Sequence, residues 1–189
     1  DGYELLQNQL RCATILSYPA MNPPGVHVCL ESKDGECCSL QGLCQASLGL
    51  GNLEAAFGYA QLALSYAEGL EDLFRVFFPF DHMAISRAAA LKAWSLYQLA
   101  SCYYARQEYE TALEYYDKAI EVGGVGVKFL LGKARTLQAL GRTSQARENY
   151  EAALQVVEIS REATSSLDLF RMGYHRLAQP AYRELIDIL

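Results

Sequence analysis

The stretch LYQLASCYYARQEYETALEYYDKAIE, residues 96–121, decides the fold, because its pattern returns 34 positions later as LLGKARTLQALGRTSQARENYEAALQ, residues 130–155. Leu96 falls on Leu130, Ala100 on Ala134 and Tyr103 on Leu137. Further on, Tyr109 falls on Thr143, Ala112 on Ala146, Tyr116 on Tyr150 and Ala119 on Ala153. Self-similarity at one fixed period marks a repeat architecture, in which each copy buries its apolar face against the next. A third copy, LQGLCQASLGLGNLEAAFGYAQLALS at residues 40–65, places Leu40, Leu43, Cys44, Leu53, Ala56, Ala60 and Ala63 at the same phases. It stands 56 positions before the middle copy, so 22 additional residues separate the two.

Within each copy, apolar residues recur at three- and four-residue spacing, and nothing alternates over strand length, so the chain reads as all-α. Ala, Leu, Glu and Gln, all favourable to helix, are abundant. The chief irregular stretch is YPAMNPPGVHVCLESKDGE, residues 18–36, which holds three of the five prolines and cannot continue a preceding helix. Residues 3–17 read as a separate amphipathic helix. The tail reads as a helix, a break near Gln179-Pro180 and a short final helix.

These features resemble the tetratricopeptide repeat (TPR) family over roughly residues 37–158. The resemblance implies a right-handed superhelix of antiparallel helix pairs. Ala56, Ala112 and Ala146 would lie where paired helices cross, with Tyr116 and Tyr150 filling the space between successive pairs. The tight turns would fall at Gly51-Asn52, Arg106-Gln107 and Gly141-Arg142. Ser47 and Ala60 in the first copy replace the usual aromatics. The whole chain, 1–189, is expected to form one helical-repeat domain: repeats at 37–70, 93–126 and 127–160, an insertion at 71–92, and capping helices over 161–189. The insertion lengthens two helices, one from near Leu53 to near Val76 and one from near His82 to near Ala105. Asp81 is the expected N-cap of the second, after the Pro79 break. Together they form a projecting hairpin tipped by FRVFFPF, residues 74–80.

Candidate chemistry fails on spacing. The stretch GGVGVKFLLGKART leaves five residues between Gly126 and Gly132 where a phosphate loop needs four, and Ala134 stands where that loop needs Ser or Thr. Phe129 occupies the third glycine position of a dinucleotide fingerprint, and no strand precedes it. His27, Cys29, Cys37, Cys38 and Cys44 lack the paired spacing of a zinc site, so no metal and no cofactor are expected. Of the six cysteines, Cys44 and Cys102 sit in apolar helical positions and read as buried free thiols of a reducing compartment, cytoplasmic or nuclear. A disulfide near Cys29, Cys37 and Cys38 is the alternative. His82 and His175 are remote from any activated Ser or Cys, and Glu110, Glu114 and Asp117 form a solvated ridge, with Glu114–Lys118 at pairing distance. The chain is not read as an enzyme.

With 22 acidic and 16 basic residues, the net charge is −6, which argues against nucleic acid as partner. No apolar run reaches the ~18 residues of a membrane span. Asp1 rather than Met opens the chain, which therefore reads as a fragment of something longer. The expected partner is another protein. The resemblance implies a concave groove lined by the first helix of each pair, here Gln41, Gln45 and Leu48, then Trp94, Tyr97, Gln98, Ser101 and Tyr104, then Lys128, Leu131, Arg135 and Gln138. Trp94, Tyr97 and Tyr104 would anchor a peptide or helix, and Lys128 and Arg135 would read its charge. Some family members clamp an acidic chaperone C-terminus. Lys128 matches one basic position of that pocket, but Gln45 and Gln98 replace asparagines and Gly132 stands where the other base belongs, so that ligand is not transferred. The terminal helices could instead fill the groove. The hairpin tip, Phe74, Phe77, Phe78 and Phe80, is a possible second interface and a route to self-association.

Overall fold

The computed structural model describes residues 24–77, 79–124 and 126–163, together with 179, 182–184 and 186. Six long helices follow in order: α1 (Pro24–Gly49), α2 (Leu53–Phe77), α3 (His82–Ala105), α4 (Tyr109–Glu121), α5 (Val127–Ala139) and α6 (Thr143–Ala163). They pack as three successive antiparallel pairs, α1/α2, α3/α4 and α5/α6. The first helices of the pairs, α1, α3 and α5, also touch one another in a row. No strand occurs among the described residues, and the fold is an all-α helical-repeat array.

One turn is built three times. Gly51 (φ 75°), Gln107 (φ 65°) and Gly141 (φ 73°) all take the left-handed conformation just past the end of a first helix. At each turn the next amide reaches back five residues: Asn52 N–H to Ser47 O, Glu108 N–H to Tyr103 O, and Arg142 N–H to Leu137 O, at 2.9–3.0 Å. This closure satisfies carbonyls that a helix end leaves open. Asn52 also caps α2, its Oδ1 accepting from Ala55 N–H at 3.2 Å.

The repeat positions are the core positions. Ala56, Ala112 and Ala146 are fully buried, as are Ala63, Ala119 and Ala153. Their lack of side-chain bulk lets backbones approach closely at the helix crossings. Tyr116 and Tyr150, at the position Ala60 holds in the first copy, are equally enclosed. Between the second and third pairs, Tyr116 lies over Gly132, where an added Cβ would stand 2.5 Å from the ring.

The lengthened helices run where the insertion places them. α2 and α3 have 25 and 24 residues against 13 each in α4 and α5. Asp81 caps α3 by accepting from Ala84 N–H at 3.0 Å. Leu70 and Ala88 are buried within this hairpin, with Leu73, Phe74 and Leu91 packed on them. Glu71, nearly buried, joins the two helices by accepting from Lys92 Nζ of α3 at 2.9 Å, and also accepts from Arg75 of its own helix at 2.7 Å.

One expectation is corrected. Residues 24–36, read as irregular, are the first half of α1. Pro24 sits at the opening of the helix, where a missing N–H costs nothing. Tertiary contacts carry the helix onward past Gly35: Asp34 pairs with Arg87 of α3, and Cys37 Sγ donates to Ala63 O of α2 at 3.4 Å. α1 thus engages both of its lengthened neighbours. The expected N-terminal helix at 3–17 lies outside the described residues, as does most of the tail; residues 179, 182–184 and 186 are helical.

Candidate functional site

The row α1, α3, α5 carries all the residues expected to line a groove, but they divide by environment. Gln41 and Gln98 are buried amides that join α1 to α3. Gln41 Nε2 donates to Leu91 O and Ser95 Oγ, both at 3.0 Å, and Gln98 Nε2 donates to Gln41 O at 2.7 Å. Leu131 is buried in the core of the third pair. Sideways contact between α1 and α3 encloses the two amides, and packing against α4 and α6 encloses Leu131.

The remaining residues form a surface. Trp94 stacks on Tyr97 with ring centroids 5.1 Å apart, and Phe129 meets both edgewise at 5.8 and 5.2 Å. Lys128 is exposed and holds its ammonium 5.1 Å above the Trp94 ring, a cation–π arrangement. Tyr97 also meets Tyr116 at 5.7 Å, and Tyr104 meets Tyr109 at 5.4 Å. Ser101 Oγ donates to Tyr97 O at 2.9 Å and lies 3.2 Å from the Tyr116 hydroxyl. Gln45 and Gln138 are exposed, and Leu48 is half-buried.

Arg135 is the most committed of them. Its guanidinium makes three hydrogen bonds to Glu184: Nε to both carboxylate oxygens at 3.0 and 2.9 Å, and Nη2 to Oε1 at 2.6 Å. Donating hydrogen bonds to the Glu184 carboxylate holds the guanidinium even more firmly protonated than usual, against the opposing effect of burial. Tyr150 OH, which donates to Gln138 Oε1 at 3.0 Å, is raised by burial and then by the nearby Glu184 carboxylate. Sequence reasoning named Arg135 but missed its partner 49 residues away. No periodic signal marks Glu184; only a calculation of what the tail lies against could find it.

Gly132 has a packing reason. Tyr116 covers it, so a basic side chain there would have to displace a buried ring. Across the same junction, Asp117 pairs with Lys133 at 2.6 Å and Glu110 with Arg142 at 2.8 Å. The acidic ridge of α4 therefore ties successive pairs together. Lys118, expected beside Glu114, holds its ammonium 4.7 Å over the Tyr115 ring.

At the hairpin tip, Phe80 is 90% exposed, with Met83 and Val76 also open to water, whereas Phe74 packs inward. Phe78 and the side chain of Phe77 lie outside the described residues.

Cys37, Cys38, Cys44 and Cys102 are free, and all but Cys38 are buried. Burial pushes Cys37 up to about 11 and raises Cys38, the opposite of what an attacking thiolate requires. Among the described residues, no three His, Cys, Asp or Glu side chains gather as metal ligands would, and no helix is long and apolar enough to cross a membrane.

Comparison with known proteins agrees with this geometry. Residues 91–166 match the sequence model of the tetratricopeptide repeat family. No curated protein matches the chain. Among solved structures, the chain is similar to the C-terminal TPR-containing domain of a Plasmodium falciparum protein named as an FK506-binding protein. The TM-score is 0.51 at 14% identity, over 84% of this chain and 93% of that one. At that identity the likeness concerns the fold.

Proposed function

We propose that the chain, whose residues 91–166 match the tetratricopeptide repeat model, is a non-catalytic scaffold holding a peptide segment or helix of another protein on the α1–α3–α5 face. The family's common use is protein–protein interaction, and the observation that carries the reading here is the composition of the open surface. Trp94, Tyr97 and Tyr104 present large, stiff, partly exposed rings, with Lys128 over Trp94 and Arg135, paired with Glu184, on the same helix as Lys128. Aromatic and arginine side chains are the usual hot spots of an interface, and the rings bury much area at low entropic cost. Gln45, Ser101 and Gln138 add hydrogen-bonding capacity at the rim, while Gln41, Gln98 and Leu131 hold the platform rigid.

Photo-reactive side chains installed at Gln45 and Gln138 test this. A partner should crosslink from both, but not from Gln61 or Glu148, exposed on the second helices α2 and α6. Lys128→Glu should weaken the same capture roughly tenfold, about 1.4 kcal/mol. Equal capture from both faces would overturn the assignment.

The exposed Phe80, Met83 and Val76 support a second reading, in which the hairpin tip mediates self-association. It predicts concentration-dependent dimers by sedimentation, lost on Phe80→Ser. A wild type that stays monomeric at high concentration would remove it.

A further inference from the structure

Glu184 is the one described tail residue that makes a specific contact with the repeat array, and it makes it through charge. Its carboxylate lies across the Arg135 guanidinium with three hydrogen bonds of 2.6–3.0 Å, and its side chain is 25% exposed. Of the other described tail residues, Tyr182 is 46% exposed, Ile186 is 69% exposed, and Gln179 and Arg183 are open. A terminal helix that serves as a permanent cap turns its apolar side inward and its charges outward. Here the described inward contact is made by a carboxylate, as when a peptide ligand presents an acidic side chain to a receptor.

The receptor is well made for that group. Arg135 offers a planar fork matched to a carboxylate. The Tyr150 hydroxyl stands beside the carboxylate and donates to Gln138 Oε1 at 3.0 Å. Arg135 itself sits on α5, two turns along the helix from Lys128.

Building on the groove reading, we infer that Arg135 is the receptor for an acidic side chain of the partner, and that Glu184 is the chain's own stand-in for it. The tail is then an intramolecular competitor. A tethered ligand acts at an effective concentration near the millimolar range, so it lowers the apparent affinity of an incoming acidic segment by the fraction of time the site stands open. The partner chemistry follows: a segment with a carboxylate flanked by apolar residues, as in the tail's own QPAYRELIDIL, residues 179–189.

That peptide, fluorescently labelled, is the probe. It is titrated by anisotropy into the full chain, the full-length Glu184→Gln variant and the full-length Arg135→Gln/Glu184→Gln double variant, with circular dichroism confirming equal helicity. Glu184→Gln should bind about tenfold more tightly than wild type, the double variant should lose that gain, and added salt should weaken binding to Glu184→Gln. In parallel, the Arg135 Nε–H resonance should be protected from exchange in wild type and released in Glu184→Gln. Equal affinities for wild type and Glu184→Gln overturn the inference, as does a Glu184→Gln chain that takes no peptide up to about 1 mM. Equal affinities that are both lost on Lys128→Glu would keep the groove and remove only the stand-in. Failure of the face-specific crosslinks would remove the groove itself.

Discussion

At the scale of single residues, the three equivalent turns form an internal comparison. Gly51 and Gly141 adopt φ near +75° at no steric cost, whereas Gln107 adopts +65° with a Cβ in place. Left-handed backbone costs an L-residue about 1–2 kcal/mol, part of which glycine gives back through its freer unfolded chain. Gln107→Gly should therefore stabilise the chain by about 0.5–1 kcal/mol, and Gly141→Ala should destabilise it by about 1 kcal/mol, both read as shifts of the urea midpoint. Gly132 is a different kind of glycine. Its backbone is ordinary helix, but an added Cβ would meet Tyr116 at 2.5–2.9 Å. Gly132→Ala should cost about 1–3 kcal/mol as an overpacking substitution, and Gly132→Ala in a Tyr116→Phe background should cost no less, because ring carbons as well as the hydroxyl are in the way. A neutral Gly132→Ala would mean that the ring moves freely and that a base could be tolerated there.

At the scale of elements, the hairpin of α2 and α3 depends on one carboxylate. Glu71 is nearly buried and accepts from both Lys92 and Arg75. The Lys92 hydrogen bond, reinforced by Arg75, outweighs burial and holds Glu71 below the usual carboxylate range. A depressed folded value means the pair stabilises the hairpin above the unfolded pKa, about 4.3, and that this contribution is lost as pH falls through the folded value. Amide exchange in α2 and the first half of α3 should therefore accelerate below about pH 4.3 relative to α5 and α6, and Glu71→Gln should abolish that difference. Exchange that changes uniformly along the chain would assign the acid response elsewhere. The elements also show what sequence could and could not supply. The ends of α2 and α3 were legible because Asp81, Pro79 and the change of apolar pattern are local signals. The start of α1 was not: Pro24 and Gly35 argue locally against helix, and the Asp34–Arg87 and Cys37–Ala63 contacts that favour it join residues 26 or more positions apart. The buried roles of Gln41 and Gln98 were hidden for the same reason, since phase within one helix says nothing about how closely α1 lies beside α3.

At the scale of the molecule, stability in a repeat array is the sum of each pair's own stability and the interfaces between neighbours. The 34-residue offset made Tyr116 and Tyr150 legible as equivalent positions, and the family resemblance implied their place between pairs. It gave no access to Glu184, which belongs to no repeat. The junction between the second and third pairs rests on Tyr116, which is 3% exposed, meets the Tyr97 ring, shares a hydrogen bond with Ser101 and covers Gly132. Truncating such a ring costs about 3–5 kcal/mol, and here the loss falls on an interface rather than within a pair. The surface ion pairs Asp117–Lys133 and Glu110–Arg142 span the same junction but are partly exposed, worth at most about 1 kcal/mol each, too little to replace it. Tyr116→Ala should thus uncouple the array as well as weaken it. Urea unfolding should show a smaller m-value or two steps, with amides of α5 and α6 exchanging at lower urea than those of α2 and α3. Tyr116→Phe, which keeps the ring and loses only the hydroxyl contact with Ser101, should retain one transition. A single transition of unchanged m-value in Tyr116→Ala would show that coupling between pairs runs through the backbone turn at Gly123 and Gly124 rather than through the ring.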